Sequence, residues 1–300
     1  MSVLFQKEFI PRVYRRISQI LKPKITHQAS SSDAIAFLPP IFVLGLLPRS
    51  GTNFLHRLLI THPDCVSCHA YESYVLERID RLQTYVQETH QKWCQQRPIM
   101  PELFHACLGK GITNYLYQMT QCYQSIDVAR QRLVIKTPSV ENLESFFQFF
   151  PDSQILLVVR EGRAVVESHA RSFDSDRVQI MHDWAAAAGK IAKFTQQESA
   201  HSQQVLVVRY EDLHMQTAKE VGRVLDFLNL NKSDYDFESA LNLPVFGSST
   251  FRKAKDEKFT WKIRPKAPDF DPLNRAANWT SEANEKFEEI AGEHMRYFNY

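Results

Sequence analysis

Ile41-Phe42-Val43-Leu44-Gly45-Leu46-Leu47-Pro48-Arg49-Ser50-Gly51-Thr52-Asn53 reads as a buried strand, a tight turn and the start of a helix. The run Ile41–Leu44 is apolar without alternation, as in a strand covered on both faces. A helical segment from about Thr52 to Ile60 follows, and His62-Pro63 stops it. A strand that turns directly into a helix makes a backbone cradle for phosphate, because the helix N-terminus carries N–H donors and a partial positive charge. Gly51 is expected to let the chain approach the anion, while Ser50, Thr52 and Asn53 add side-chain donors.

The same alternation continues downstream. Leu133–Ile135, Gln154–Val159 and Gln204–Val208 are further apolar runs of strand length. Helical spacing is expected over residues 71–94, 102–123, 140–150, from 163, 178–199, 214–228 and 281–297. Continuous apolar strands alternating with helices predict an α/β fold with a mostly parallel central sheet, flanked by helices on both faces. Residues 1–38 read as a separate basic helical extension and linker. Phe5, Ile10, Val13, Tyr14, Ile17 and Leu21 fall near helical spacing there, and Ser30-Ser31-Ser32 follows. Residues 39–300 read as a single domain. The irregular stretch 243–275 is too long for an idle connection and is expected to be a functional flap or binding loop.

Each strand leads to a cation: the first to Arg49, the second to Lys136, the third to Arg160 and the fourth to Arg209. Open parallel sheets bind ligands beyond the carboxyl ends of their strands. Cations converging there would repel one another, so they imply a polyanionic ligand or carboxylate partners. The first turn is not the P-loop of ATPases. Gly45 and Gly51 stand one residue too far apart, and Thr52 occupies the position of the required Lys. The strands also end in cations where a Mg²⁺-holding Asp would stand.

Composition narrows the classes. The chain has 300 residues, 44% of them apolar, and a net charge of +2, so nothing global points to nucleic acid. No run approaches the ~20 apolar residues of a membrane helix, and no secretory h-region is visible. Five cysteines without an export signal fit reduced thiols and a cytoplasmic setting. Cys65-Val66-Ser67-Cys68-His69 matches the c-type haem attachment pattern, but that chemistry needs export. No second Cys/His pair stands at zinc spacing, and no metal is expected.

Leu47 to Asn53 resembles the 5′-phosphosulfate loop of sulfotransferases that use 3′-phosphoadenosine-5′-phosphosulfate (PAPS). Val158-Val159-Arg160-Glu161-Gly162-Arg163, with Ser168 eight residues beyond Arg160, resembles their 3′-phosphate motif. Trp184, Arg209-Tyr210-Glu211-Asp212, Trp279 and Ala291-Gly292-Glu293 also look like the family, so the resemblance covers roughly residues 40–300. Arg in the first loop and Lys136-Thr137-Pro138 point to the bacterial and tyrosylprotein sulfotransferase branch. The resemblance implies a P-loop-like fold and metal-free transfer. It makes Arg49 and Lys136 catalytic cations, Arg160 and Ser168 ligands of the 3′-phosphate, and Tyr210 a nucleotide contact. Phe251 to Lys262 loosely resembles the loop that closes over the nucleotide, which would bring in Ser249 and Arg252, although its glycines are missing. The product would be the bisphosphate PAP.

The acceptor hydroxyl needs a base just past the first helix. The resemblance favours Glu72, which lies beyond His62-Pro63, with His69 as the alternative. Bacterial relatives act on sugars, lipids and secondary metabolites, so a small-molecule acceptor is expected, in a pocket shaped by the aromatic helices at 71–94 and 102–123, while Tyr115, Tyr117 and Tyr123 at helical spacing read rather as core. Two rival readings are a P-loop small-molecule kinase and a catalytically inactive nucleotide-binding protein.

Overall fold

Five parallel strands form the central sheet in the order β2-β3-β1-β4-β5, with β1 Ile41–Gly45, β2 Cys65–Ser67, β3 Arg132–Thr137, β4 Gln154–Val159 and β5 Val205–Arg209. This computed structural model describes residues 37–69, 72–93, 100–197, 201–249, 262–266 and 270–300. The N-terminal extension and Arg252 lie outside the described residues, which fall within one unit, Ala36–Tyr300.

The period of two along each strand explains why both faces are covered. Ile41, Val43, Val134, Leu156 and Val158 face one way and pack with α1 (Thr52–Leu59) and the later helix that carries Val221, Val224 and Leu225. Phe42, Leu44, Leu133, Ile135, Ile155 and Leu157 face the other way. They meet α2 (Ile79–Trp93), α3 (Pro101–Gln121), α4 (Phe146–Phe149), α5 (Gly162–Phe173) and α6 (Arg177–Gln197). The chain continues through α7 (Tyr210–Met215), α8 (Thr217–Leu228), α9 (Phe237–Leu241), the antiparallel pair β6 (Val245–Phe246) and β7 (Ile263–Arg264), and α10 (Ser281–Tyr297).

The four expected strands are present, and the order places β1 between β3 and β4. The chain leaves β1 toward β2 and β3 on one side and returns to β4 on the other. That reversal is the topological switch point where α/β sheets open a ligand crevice.

Other expectations need correction. The edge strand β2 falls on the Cys-x-x-Cys segment. Cys65 and Cys68 are both buried, and burial pushes the Cys65 thiol up to about 12, so this pair packs the sheet edge and offers no haem attachment. The expected helix over 71–94 begins only at Ile79, after a 3-10 turn at Leu76–Arg78. The one over 140–150 contracts to a 3-10 turn and α4. The one over 214–228 is two helices broken at Gln216, whose backbone leaves the helical region.

Candidate active site

The turn after β1 is held by its own side chain. Ser50 Oγ donates to Leu47 O at 2.8 Å and accepts from Leu47 N at 3.0 Å. That wholly buried hydroxyl staples the loop and does not line the cleft. Gly51 follows with φ 100°, a left-handed conformation at the N-cap of α1. A Cβ there would stand 2.2 Å from the Tyr210 ring, so the glycine admits the tyrosine against the backbone.

Pro48, Arg49, Thr52 and Asn53 line one wall of a cleft of about 390 Å³ at the carboxyl ends of β1, β3 and β4. Lys136, Glu72, Arg160, Ser168, Gly51 and Tyr210 line it too, so most of the expected set comes together in one place. Register pairs Val43 with Lys136 on one side and with Leu156 on the other, which brings β3 and β4 against β1 in step.

Lys136 is only 1% exposed. Its ammonium donates to Glu72 Oε1, and Glu72 Oε2 accepts from the Tyr74 hydroxyl at 2.5 Å. Burial pushes the Lys136 ammonium below its ordinary range, and the Glu72 carboxylate partly restores it. Tyr74 has a left-handed φ of 48°, which aims the short segment back at the carboxylate. Burial, then the bond to Glu72, raises the Tyr74 phenol above its usual range.

The opposite side of β1 carries a second charged group. Arg49 Nε donates to Ser168 Oγ at 3.1 Å, and its Nη1 donates to Gly247 O at 2.7 Å. Arg160 Nη1 donates to Arg49 O at 2.7 Å, its Nη2 to Pro272 O at 2.5 Å, and its guanidinium lies 4.4 Å over the Tyr210 ring. Burial, with Arg160 and Arg275 beside it, lowers Arg49 to about 9. An arginine stays protonated near neutral pH, so this shift measures how unfavourable the buried positive charge is. Tyr210, Phe54 and His214 stand against each other as an aromatic wall. Burial first, then Lys266 and Arg160, lowers His214.

Several expected residues lie elsewhere. Arg209 ends its strand as predicted, yet its guanidinium lies 4.4 Å over the Tyr300 ring and donates to Asn299 O, so the C-terminal turn takes it from the cleft. His69 is exposed and stacks on Tyr123 at 3.4 Å, away from the cleft lining. Ser249 is buried behind Ser168, with their hydroxyls 3.3 Å apart. Tyr117 is core, while Tyr115 and Tyr123 are exposed, and none of these tyrosines lines the cleft.

The sequence reading missed Arg275, Tyr74 and Phe173, all of which line the cleft. Tyr74 could have been found from its place two residues after Glu72; Arg275 carries no motif. Among the described residues, no group of three His, Cys, Asp or Glu side chains could hold a metal ion, and no helix is long and apolar enough to cross a membrane.

A family model described as "Sulfotransferase family" matches residues 39–234. Protein-tyrosine sulfotransferase A of Caenorhabditis elegans is 27% identical over 214 residues, covering 68% of this chain and 53% of that protein. The protein-tyrosine sulfotransferase of Drosophila melanogaster is 27% identical over 218 residues, covering 68% of this chain and 41% of that one. The chain thus spans about half the length of the curated relatives it matches. The sulfotransferase domain of the Synechococcus PCC 7002 olefin synthase superposes with a TM-score of 0.53 at 20% identity, covering 91% of this chain and 98% of that domain, and shares the fold.

Proposed function

The chain belongs to the sulfotransferase family, and from that premise we propose that residues 39–300 transfer the sulfuryl group of PAPS to a hydroxyl of a small-molecule acceptor. The observation that carries this reading is the division of the cleft by β1. Lys136 and Glu72 lie on the β3 side, and Arg49, Arg160 and Ser168 on the β4 side, with the N-terminus of α1 between them.

The donor set fits a nucleotide carrying two separated anionic groups. Arg160 Nε and Arg275 Nε are buried with no hydrogen-bond partner, a costly state that anionic oxygens would relieve. Tyr210, Phe54 and His214 offer an aromatic face to a base. PAPS supplies a sulfuryl group on a good leaving phosphate.

The protein's part is positioning and charge. Lys136 receives negative charge that grows on the departing phosphate. Glu72 takes the proton of the acceptor hydroxyl, and its ion pair with Lys136 opens as the two ligands enter. Arg160 and Ser168 hold the 3′-phosphate. Arg49, bonded to Ser168, sits with this group rather than beside Lys136. Among the described residues that line the cleft, Glu72 is the one carboxylate. Charge is therefore met by cations, which disfavours a Mg²⁺-dependent kinase. An intact Lys136–Glu72 pair disfavours an inactive nucleotide-binding protein.

A second acceptor reading has its own support. Tyr74, Pro138 and Phe173 line the cleft that also holds Glu72, and the curated relatives are named for protein tyrosine. An aromatic hydroxyl, free or on a tyrosine side chain, suits such walls. The test is incubation with labelled PAPS and separate sugar, lipid, phenol and tyrosine-peptide acceptors, read by mass for an added sulfuryl group. Saturating PAP should raise the melting temperature. Absence of both binding and transfer overturns the proposal; transfer to one arm fixes the acceptor class.

A further inference from the structure

We propose that Tyr74 is itself an acceptor: with PAPS bound and no other acceptor in the cleft, the chain moves one sulfuryl group onto its own Tyr74 phenol. The inference rests on the PAPS reading above and goes beyond it, because it names a modification site on the chain itself. Tyr74 lines the cleft, and its hydroxyl donates to Glu72 Oε2 at 2.5 Å. A general base must stand within hydrogen-bond reach of the hydroxyl it activates, and this pair already does.

The turn that brings the phenol there is not a relaxed one. Tyr74 is held at φ 48°, a left-handed conformation that a bulky residue avoids unless its surroundings impose it. The segment folds back on itself and presents both the carboxylate and the phenol to the cleft. On the other oxygen of the same carboxylate stands Lys136, the cation given above to the departing phosphate. The phenol oxygen and the Lys136 nitrogen are thus separated by two hydrogen bonds and one carboxylate. That span is comparable to the path through a sulfuryl group and its bridging oxygen. Other hydroxyls of the cleft are committed to cations. Ser168 Oγ accepts from Arg49, Ser248 Oγ accepts from Arg275, and the Tyr210 ring lies under Arg160.

The step balances with PAPS as the sole co-reactant. Burial, then the bond to Glu72, raises the Tyr74 phenol above its usual range, so it stays protonated and needs the base. Glu72 takes that proton as the phenol oxygen bonds to sulfur. The bond from sulfur to the bridging oxygen breaks, and PAP leaves with its electron pair. The product is a Tyr74 sulfate ester. It fills the acceptor's place, so the reaction stops at one sulfuryl group per chain.

Incubation of the full chain with PAPS and no acceptor, read by intact mass and by peptide fragmentation, tests this. The unaltered protein should gain one sulfuryl group, carried by Tyr74. The rate should not depend on protein concentration, because phenol and base belong to one chain. Tyr74→Phe should lose the gain, with PAP binding checked by calorimetry in the same protein. Glu72→Gln should slow it at least about a hundredfold. No gain in mass on a chain that binds PAP overturns the proposal and leaves the PAPS reading standing. So does an undiminished gain in Tyr74→Phe. A gain spread over exposed tyrosines such as Tyr85, Tyr115 and Tyr123, or a rate that rises with protein concentration, means transfer between copies and overturns it as well. Failure of the unaltered protein to bind PAP is a separate result and overturns the PAPS reading on which this rests.

Discussion

At the scale of single residues, the division of labour depends on which oxygen or nitrogen each side chain has already committed. Glu72 accepts from Lys136 on one oxygen and from Tyr74 on the other, and under the proposed reading it is the group that takes the acceptor's proton. Glu72→Gln should lower kcat at least about a hundredfold while PAP still binds, since a general base is worth that much or more. His69→Gln should leave the rate near normal, because its ring stacks on Tyr123 outside the cleft lining. Steady-state kinetics with calorimetry on both variants checks this, and a loss confined to His69→Gln would reverse the assignment. Lys136, Arg160 and Ser168 were legible in the sequence because each is tied to a strand end or to the first turns of the following helix. Arg209 has the same sequence position as Arg160, yet Tyr300 and Asn299 claim its guanidinium, and no local pattern announces a contact some 90 residues away. Arg275 was invisible for the same reason: only the folded chain brings it to Ser248.

At the scale of elements, burial on two faces made the strands easy to read, whereas the short pieces depended on tertiary contacts. β2 is three residues long and shows no run of its own; it exists because Cys65 and Val66 pair with Arg132 and Leu133 of β3. The break between α7 and α8 at Gln216 carries no Gly or Pro, so helical spacing ran straight through it. Helix α3 shows how a glycine reports packing instead of flexibility. A Cβ at Gly109 would lie 1.7 Å from Phe149 O, a backbone atom that cannot move aside cheaply, whereas a Cβ at Gly111 meets nothing within 4 Å. Alanine in a helix interior is otherwise better than glycine by roughly 0.8–1 kcal/mol. The two substitutions should therefore have opposite signs. Gly111→Ala should stabilise by up to about 1 kcal/mol. Gly109→Ala should destabilise by about 1–3 kcal/mol as α3 is pushed off α4. Urea denaturation of both variants decides the matter, and a stabilised Gly109→Ala would show that α3 does not approach α4 this closely.

At the scale of the whole molecule, a cleft built from cations leaves a mark on how folding depends on pH. His56 is buried on α1, 2% exposed, with Nε2 3.2 Å from Ser67 Oγ. Burial, then Lys136, then Arg57, lowers it from 6.5 to about 3. The same direction holds for His169, through burial and Arg49, and for His214, through burial, Lys266 and Arg160. A histidine held neutral in the fold gains a proton on unfolding once the pH falls below its ordinary value. The folded state is then disfavoured progressively from about pH 6.5 downward, and above that value these groups cost nothing. Each such histidine contributes a slope of up to about 1.4 kcal/mol per pH unit once well below its unfolded pKa. Carboxylates with lowered values, such as Glu167 with its ordinary value of 4.5, contribute stability that fades only at lower pH. Between pH 6.5 and 5 the slope should therefore come from the histidines. Chemical denaturation of the unaltered protein at pH 7.5, 6.5, 5.5 and 5.0 should show stability flat at first and then falling. His56→Gln, which keeps a polar partner for Ser67 but cannot titrate, should flatten that fall by about 1 kcal/mol between pH 6.5 and 5.5. An identical pH dependence in the two proteins would show that His56 is not held neutral in the fold.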